Sequence, residues 1–98
     1  MPRKSTDEEG WWRFLDLCLE TKKAKALNEL LMLFMTFQER TDMGLRYELV
    51  KALLEGKRPQ REIAEELGIS IAKITRGSNA LKIISEDLLE FLKTQMLR

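Results

Sequence analysis

Residues 60–82 read Q-R-E-I-A-E-E-L-G-I-S-I-A-K-I-T-R-G-S-N-A-L-K, and their spacing decides the fold. Ile63 and Leu67 stand at i and i+4, on one face of a helix. Ala64 is small where a second helix must cross closely. Gly68 falls where the chain turns and a positive φ is expected. Ser70 offers the short side-chain oxygen of an N-cap for the helix that follows, and Ile71 and Ile74 pack back on the first. Alanine, glycine four residues on, and a branched aliphatic six further is the spacing of a DNA-binding helix-turn-helix over 60–82. Other small helical hairpins share that spacing.

Charge supports the same stretch. The chain has 98 residues, with 17 basic and 16 acidic side chains and a net charge of +1. Over 56–82, Lys57, Arg58, Arg61, Lys73, Arg76 and Lys82 outnumber Glu62, Glu65 and Glu66, a local +3 on a chain that is otherwise slightly acidic. A confined basic patch suits a module that touches phosphates at one place. A solvated helical face carries charge in the same way.

Outward from the hairpin, apolar residues recur at helical spacing and no strand-like alternation persists. The chain reads as all-α. Residues 1–10 are polar and read as a flexible N-terminal arm, with the helical domain over 11–98. A first helix from about Glu9 to Lys23 carries Trp11, Trp12, Phe14, Leu15, Leu17, Cys18 and Leu19 around most of its circumference. A helix so apolar needs burial on several sides, more than one small subunit supplies, which points to interlocking helices in a dimer. A short second helix, about Ala26 to Met35, is again very apolar. Thr36 and Glu39 have the capping-box spacing and start a third helix, which ends at Gly56. Pro59 suits the opening of the next segment. Ser85, followed by Glu86 and Asp87, starts a last helix with Leu88, Leu89, Phe91, Leu92 and Met96.

Composition narrows the function. Histidine is absent and Cys18 is the single cysteine. That excludes an internal disulfide, a Cys/His zinc site and a histidine base. No metal and no catalytic residue is expected, and the chain does not read as an enzyme. The longest strictly apolar run, Leu30–Met35, is far below the roughly 18 residues needed to span a bilayer. A cytoplasmic protein with no membrane partner is the expectation.

One position departs from the generic hairpin. Three residues after Ile74, where another aliphatic is normal, stands Gly77, beside Arg76. The bland reading is tolerated slack. The sharper one is a gap beside the second helix with an arginine at its edge. Arg46 lies near a second helix-interior glycine, Gly44. Two arginines so placed can sandwich a flat ring by cation–π stacking and hold a carboxylate.

I-T-R-G-S-N at 74–79, followed by Leu81 and Lys82, resembles the tryptophan repressor family. So do Q-R-E at 60–62, E-L-G at 66–68, I-A at 71–72 and E-L-V-K-A-L-L-E-G at 48–56. The likeness continues upstream through L-M-L-F-M-T-x-x-E-R at 31–40 and W-x-R-F-x-D-L at 11–17. The resemblance implies an intertwined homodimer of six-helix subunits, a standard example of helix-turn-helix docking on double-stranded operator DNA. It implies L-tryptophan as co-repressor, bound beside each recognition helix. By position, Arg46 and Arg76 flank the indole and Gly77 leaves room for it. Thr36 and Arg76 hold the carboxylate, and backbone carbonyls near Leu33 and Met35 of the other subunit receive the amino group. Arg61 matches a guanine-contacting arginine. Ile71, Ala72 and Thr75 match the recognition surface, with Lys73 counted among the DNA-facing residues. Gln60, Ser78, Asn79 and Lys82 match phosphate contacts.

The chain departs from the family pattern at three places. Ala80 stands where the best-known members have a serine that helps bind the ligand amino group, a hydrogen bond of about 0.5–1.5 kcal/mol. Ala64 replaces a lysine near the DNA. Ile69 and Ser70 replace a smaller turn pair, which is expected to order the reading head without ligand. A helix-turn-helix repressor that ignores ligand, or answers another indole or amino acid, is the alternative these departures leave. A helical dimerisation module without DNA affinity is a further one.

Overall fold

The computed structural model describes residues 2–98, and the side chains of residues 7–98. All regular structure among them is helical: α1 (Pro2–Glu20), α2 (Ala24–Phe34), α3 (Phe37–Glu55), α4 (Gln60–Leu67), α5 (Ile71–Ile83) and α6 (Glu86–Met96). The chain divides into two compact units, Met1–Arg40 and Thr41–Arg98.

In the first unit, α1 begins earlier than its apolar pattern suggests. Residues 2–10, expected as an arm, are helical; Met1 lies outside the described residues. The physical reason is local. Pro2 occupies a first-turn position, where a missing N–H leaves nothing unsatisfied, and Gly10 is accommodated inside α1 at a cost of about 1 kcal/mol. Glu9 and Arg13 form an i,i+4 ion pair at 3.3 Å across the expected boundary. At the far end the Thr21 hydroxyl donates to the Leu17 carbonyl and Lys22 Nζ to the Leu19 carbonyl, satisfying two of the carbonyls a helix end orphans. Phe14 packs edge-on against Phe34, with ring centroids 5.2 Å apart, and joins α1 to α2. The Thr36–Glu39 capping box forms as expected. The Glu39 amide donates to Thr36 Oγ1 at 3.0 Å, and the Thr36 amide to Glu39 Oε1 at 2.8 Å.

The second unit holds the buried core: Leu49 and Ala52 of α3, Ile63 and Ala64 of α4, and Ile74 of α5. Leu53, Leu67 and Ile69 pack against it. Two glycines end helices in the left-handed region, Gly56 at φ 64° after α3 and Gly68 at φ 66° after α4. Ser70 and Ser85 both cap, accepting from the amides of Lys73 and Leu88. Pro59 is the residue before α4 rather than its first helical residue.

Much apolar surface stays open in a single chain. No residue of α2 or α6 is buried, and Leu33 and Phe37 are each 78% exposed and Ile83 85%. Large apolar side chains exposed in such number on one chain mark surface that a partner covers.

Candidate nucleic-acid interface

The hairpin of α4 and α5 carries the site. Three residues, Gly68 to Ser70, turn the chain between the helices. Gly68 supplies the positive φ, Ile69 tucks against the core, and Ser70 caps α5 with its hydroxyl. Ile63 is 1% exposed and Ile74 0%. These two side chains lock the helices together, so the outer faces are held on a rigid frame. Ala64 is buried in the same seam, so its small size serves the crossing. Arg58, just before α4, forms an ion pair with Glu66 near the end of α4. Helical i,i+4 spacing does not reveal this pair, because its partners stand eight residues apart; opposite charges on either side of a short helix are its signal.

α5 carries Lys73, Arg76 and Lys82 and no acidic residue. Residues on a helix advance by about 100° each, so burial fixes which way every position faces. Ile74 is fully buried, and Gly77, Ser78 and Leu81 are half-buried. The outer surface then falls into two flanks. Ile71, Ala72, Thr75, Asn79 and Lys82 lie to one side of the core line, all exposed. Lys73, Arg76 and Ala80 lie to the other, also exposed, with Gly77 on their border with the core. The first flank has the short apolar and polar side chains that suit base edges, with a lysine at its end. The second is cationic. Ser78, expected at a phosphate, is half-buried beside the core line. Gln60 and Arg61 form the exposed first turn of α4.

Gly77 needs a correction. A Cβ at this position would come within 3.1 Å of one Leu49 methyl carbon and 3.5 Å of a Leu53 methyl carbon. The missing side chain is therefore used by the protein's own leucines: α3 and α5 approach closely here. It does not by itself open a gap for a ring. The sequence could not reveal this, because Leu49 is far away along the chain. Substitution tests the point. In an ordinary helix Gly→Ala gains about 1 kcal/mol. Here the new methyl meets Leu49, only 5% exposed and unable to swing clear, and overpacking of that sort costs about 1–3 kcal/mol. Gly77→Ala is expected to lower stability by about 1 kcal/mol net of these effects. A urea titration that finds the variant stabilised would contradict the close crossing.

Arg46 stands on α3 one turn before Leu49, on the side of the helix that reaches Gly77. It is exposed, and Arg46, Arg61, Arg76, Lys73 and Lys82 make no ion pair among the described residues. A Cβ at Gly44 would meet nothing within 4 Å, so that glycine opens no internal space. Leu33, Met35 and Thr36 belong to the first unit, where Leu33 and Thr36 are exposed and Met35 is half-buried. The Thr36 oxygen already accepts the Glu39 amide, which leaves its hydroxyl proton to donate. No group of three or more Cys, Asp or Glu side chains among the described residues is arranged to hold a metal ion, and no described helix is long and apolar enough to cross a membrane.

Comparison with known proteins agrees with the architecture. The family profile described as Trp repressor protein matches residues 9–96. The Trp operon repressor homolog of Chlamydia trachomatis serovar D is 50% identical over 93 residues, spanning 95% of this chain and 99% of the relative. Its counterpart in Chlamydia caviae is 49% identical, over 92% of this chain and 89% of the relative. That of Mannheimia succiniciproducens is 42% identical, over 91% and 88%. Fold, hairpin and likeness converge, and the chain belongs to the Trp repressor family of DNA-binding transcriptional repressors.

Proposed function

We propose that the protein is an L-tryptophan-dependent repressor, acting in the cytoplasm as an intertwined homodimer on a palindromic operator. The observation that carries this reading is the division of α5 into an uncrowded flank suited to base edges and a cationic flank beside Gly77. The exposed apolar faces of α1, α2 and α6 are the surface a second copy of the chain covers. Two-fold symmetry then sets the two recognition helices about 34–36 Å apart, facing successive major grooves. Arg61 reads a guanine. Ile71, Ala72 and Thr75 meet the groove floor. Gln60, Ser78, Asn79 and Lys82 hold phosphates through their side chains.

The donor set on the cationic flank fits a carboxylate. Arg76 is exposed and makes no ion pair among the described residues; the family likeness, not the geometry, adds the Thr36 hydroxyl as a second donor. Arg46 and Arg76 present guanidinium planes to an indole. Carbonyls at the C-terminal end of the partner subunit's α2, around Leu33 and Met35, are the negative end of a helix dipole and suit an ammonium. The Gly77 crossing directs the ring against the flank rather than into the space of a missing side chain. The co-repressor acts by position: it favours the arrangement of the reading heads that matches the groove spacing, and shifts that equilibrium only through its differential affinity.

Ala80 gives one reason to keep a second reading, a repressor that answers another indole, because this position lacks a hydroxyl for the ligand ammonium. Operator affinity decides. A palindromic duplex recovered by selection from a random pool should bind at least tenfold more tightly with saturating L-tryptophan, and binding should weaken steeply with salt. Unchanged affinity would favour the second reading.

A further inference from the structure

We infer that Lys73 is a ligand-binding residue: it and Arg76 together receive the carboxylate of the co-repressor, and Lys73 is not a reader of DNA. The inference rests on the co-repressor site proposed above and deepens it. Sequence position alone groups Lys73 with the DNA-facing residues, because it lies in the first turn of the recognition helix, where base contacts concentrate. The observed register separates it from them. With Ile74 fully buried, Lys73 falls about 100° to one side and Thr75 about 100° to the other. Lys73, Arg76, Gly77 and Ala80 stand at i, i+3, i+4 and i+7, the spacing of one continuous helical face. Ile71, Ala72, Thr75 and Asn79 occupy the opposite flank.

The electrostatics of α5 support an anionic partner on that face. Lys73 and Arg76 are like charges three residues apart, a disfavoured arrangement on a helix. Lys73 also lies in the first turn, where the helix dipole disfavours a cation, while Lys82 sits in the last turn, where it is favoured. No acidic residue of α5 relieves either cost, and neither cation is paired elsewhere among the described residues. An anion docked between them relieves both. Toward the C-terminus the same face carries no long side chain, only Gly77 and the methyl of Ala80. A face that is cationic at one end and bare at the other matches a ligand with a carboxylate at one end of a flat apolar body. The extra cation also falls on the helix that lacks a hydroxyl at position 80, so the ligand is held more by its carboxylate than by its ammonium.

Calorimetric titration of the DNA-free dimer with three probes tests this. L-Tryptophan has both charged groups, indole-3-propionate only the carboxylate, and tryptamine only the ammonium. Lys73→Met is expected to weaken L-tryptophan and indole-3-propionate about tenfold, the range of a charge-assisted hydrogen bond, and to leave tryptamine unchanged. Lys73→Arg should restore most of the loss. Equal losses for all three probes would overturn the assignment. So would ligand affinities that do not change while operator binding at saturating L-tryptophan weakens, which would return Lys73 to the DNA. If the unaltered protein binds neither carboxylate probe, the co-repressor reading fails first, before any variant is made, and takes this inference with it.

Discussion

Ile74→Ala is expected to destabilise the reading head by about 2–5 kcal/mol per subunit, the range for truncating a buried aliphatic to alanine. The upper part of that range is expected because Ile74 is wholly enclosed and the core around it is small. Leu49, Ala52, Ile63 and Ala64 are its buried companions, and a cavity at their centre touches α3, α4 and α5 together. Close-packed neighbours relax only partly into such a void. Operator binding should fall with stability, because both flanks of α5 are positioned by this one side chain. Ile71→Ala, one turn away, is the control. Ile71 is 48% exposed, so its loss should change stability by no more than about 0.5 kcal/mol while still weakening DNA binding. Urea denaturation followed by circular dichroism separates the two. A loss below about 1 kcal/mol for Ile74→Ala would mean that α5 is held by something other than this core.

The second large effect concerns Arg61. An arginine bidentate to a guanine discriminates by about 1–3 kcal/mol against the wrong base. A symmetric dimer makes the contact twice, so Arg61→Ala should weaken binding to the selected palindrome by about 30-fold to 10⁴-fold. The loss should be selective: preference at one base pair in each half-site should relax, and the others persist. Lys82→Ala should behave differently. As a phosphate contact it should weaken all duplexes alike and make the logarithmic salt dependence shallower by nearly two for the dimer. Equal loss on selected and random duplexes for Arg61→Ala would remove its role as a base reader and leave it a phosphate contact.

The caps show what was legible in the sequence. Thr36 with Glu39, Gly56, Gly68, Ser70 and Ser85 all lie where spacing placed them, because capping involves residues within one turn. The seam of Ile63, Ala64 and Ile74 was legible for the same reason, helical period and turn length, but Ile71, expected to pack there too, is 48% exposed because it lies to one side of the buried line. Features that depend on distant parts of the chain were not. Gly77 looked like a gap because its partners, Leu49 and Leu53, belong to another helix. Lys73 was grouped with the DNA-facing residues by its place in the first turn, and its separation from Thr75 by about 100° on either side of Ile74 needed the buried core to orient α5. The start of α1 was missed because a polar run ahead of an apolar pattern reads as a tail, yet Pro2 suits a first turn and the Glu9–Arg13 pair supports the helix across the boundary. The apolar patterns of α2 and α6 were legible too, and neither helix buries a residue within the chain.

The account rests on coupling between a small aromatic acid and the grip of the reading heads, and coupling is reciprocal. The most direct measurement is a calorimetric titration of L-tryptophan into the dimer, alone and saturated with the selected operator duplex. The account predicts one site per subunit and at least tenfold tighter binding when the operator is present. Binding of the same strength in both cases, or no binding in either, would contradict it.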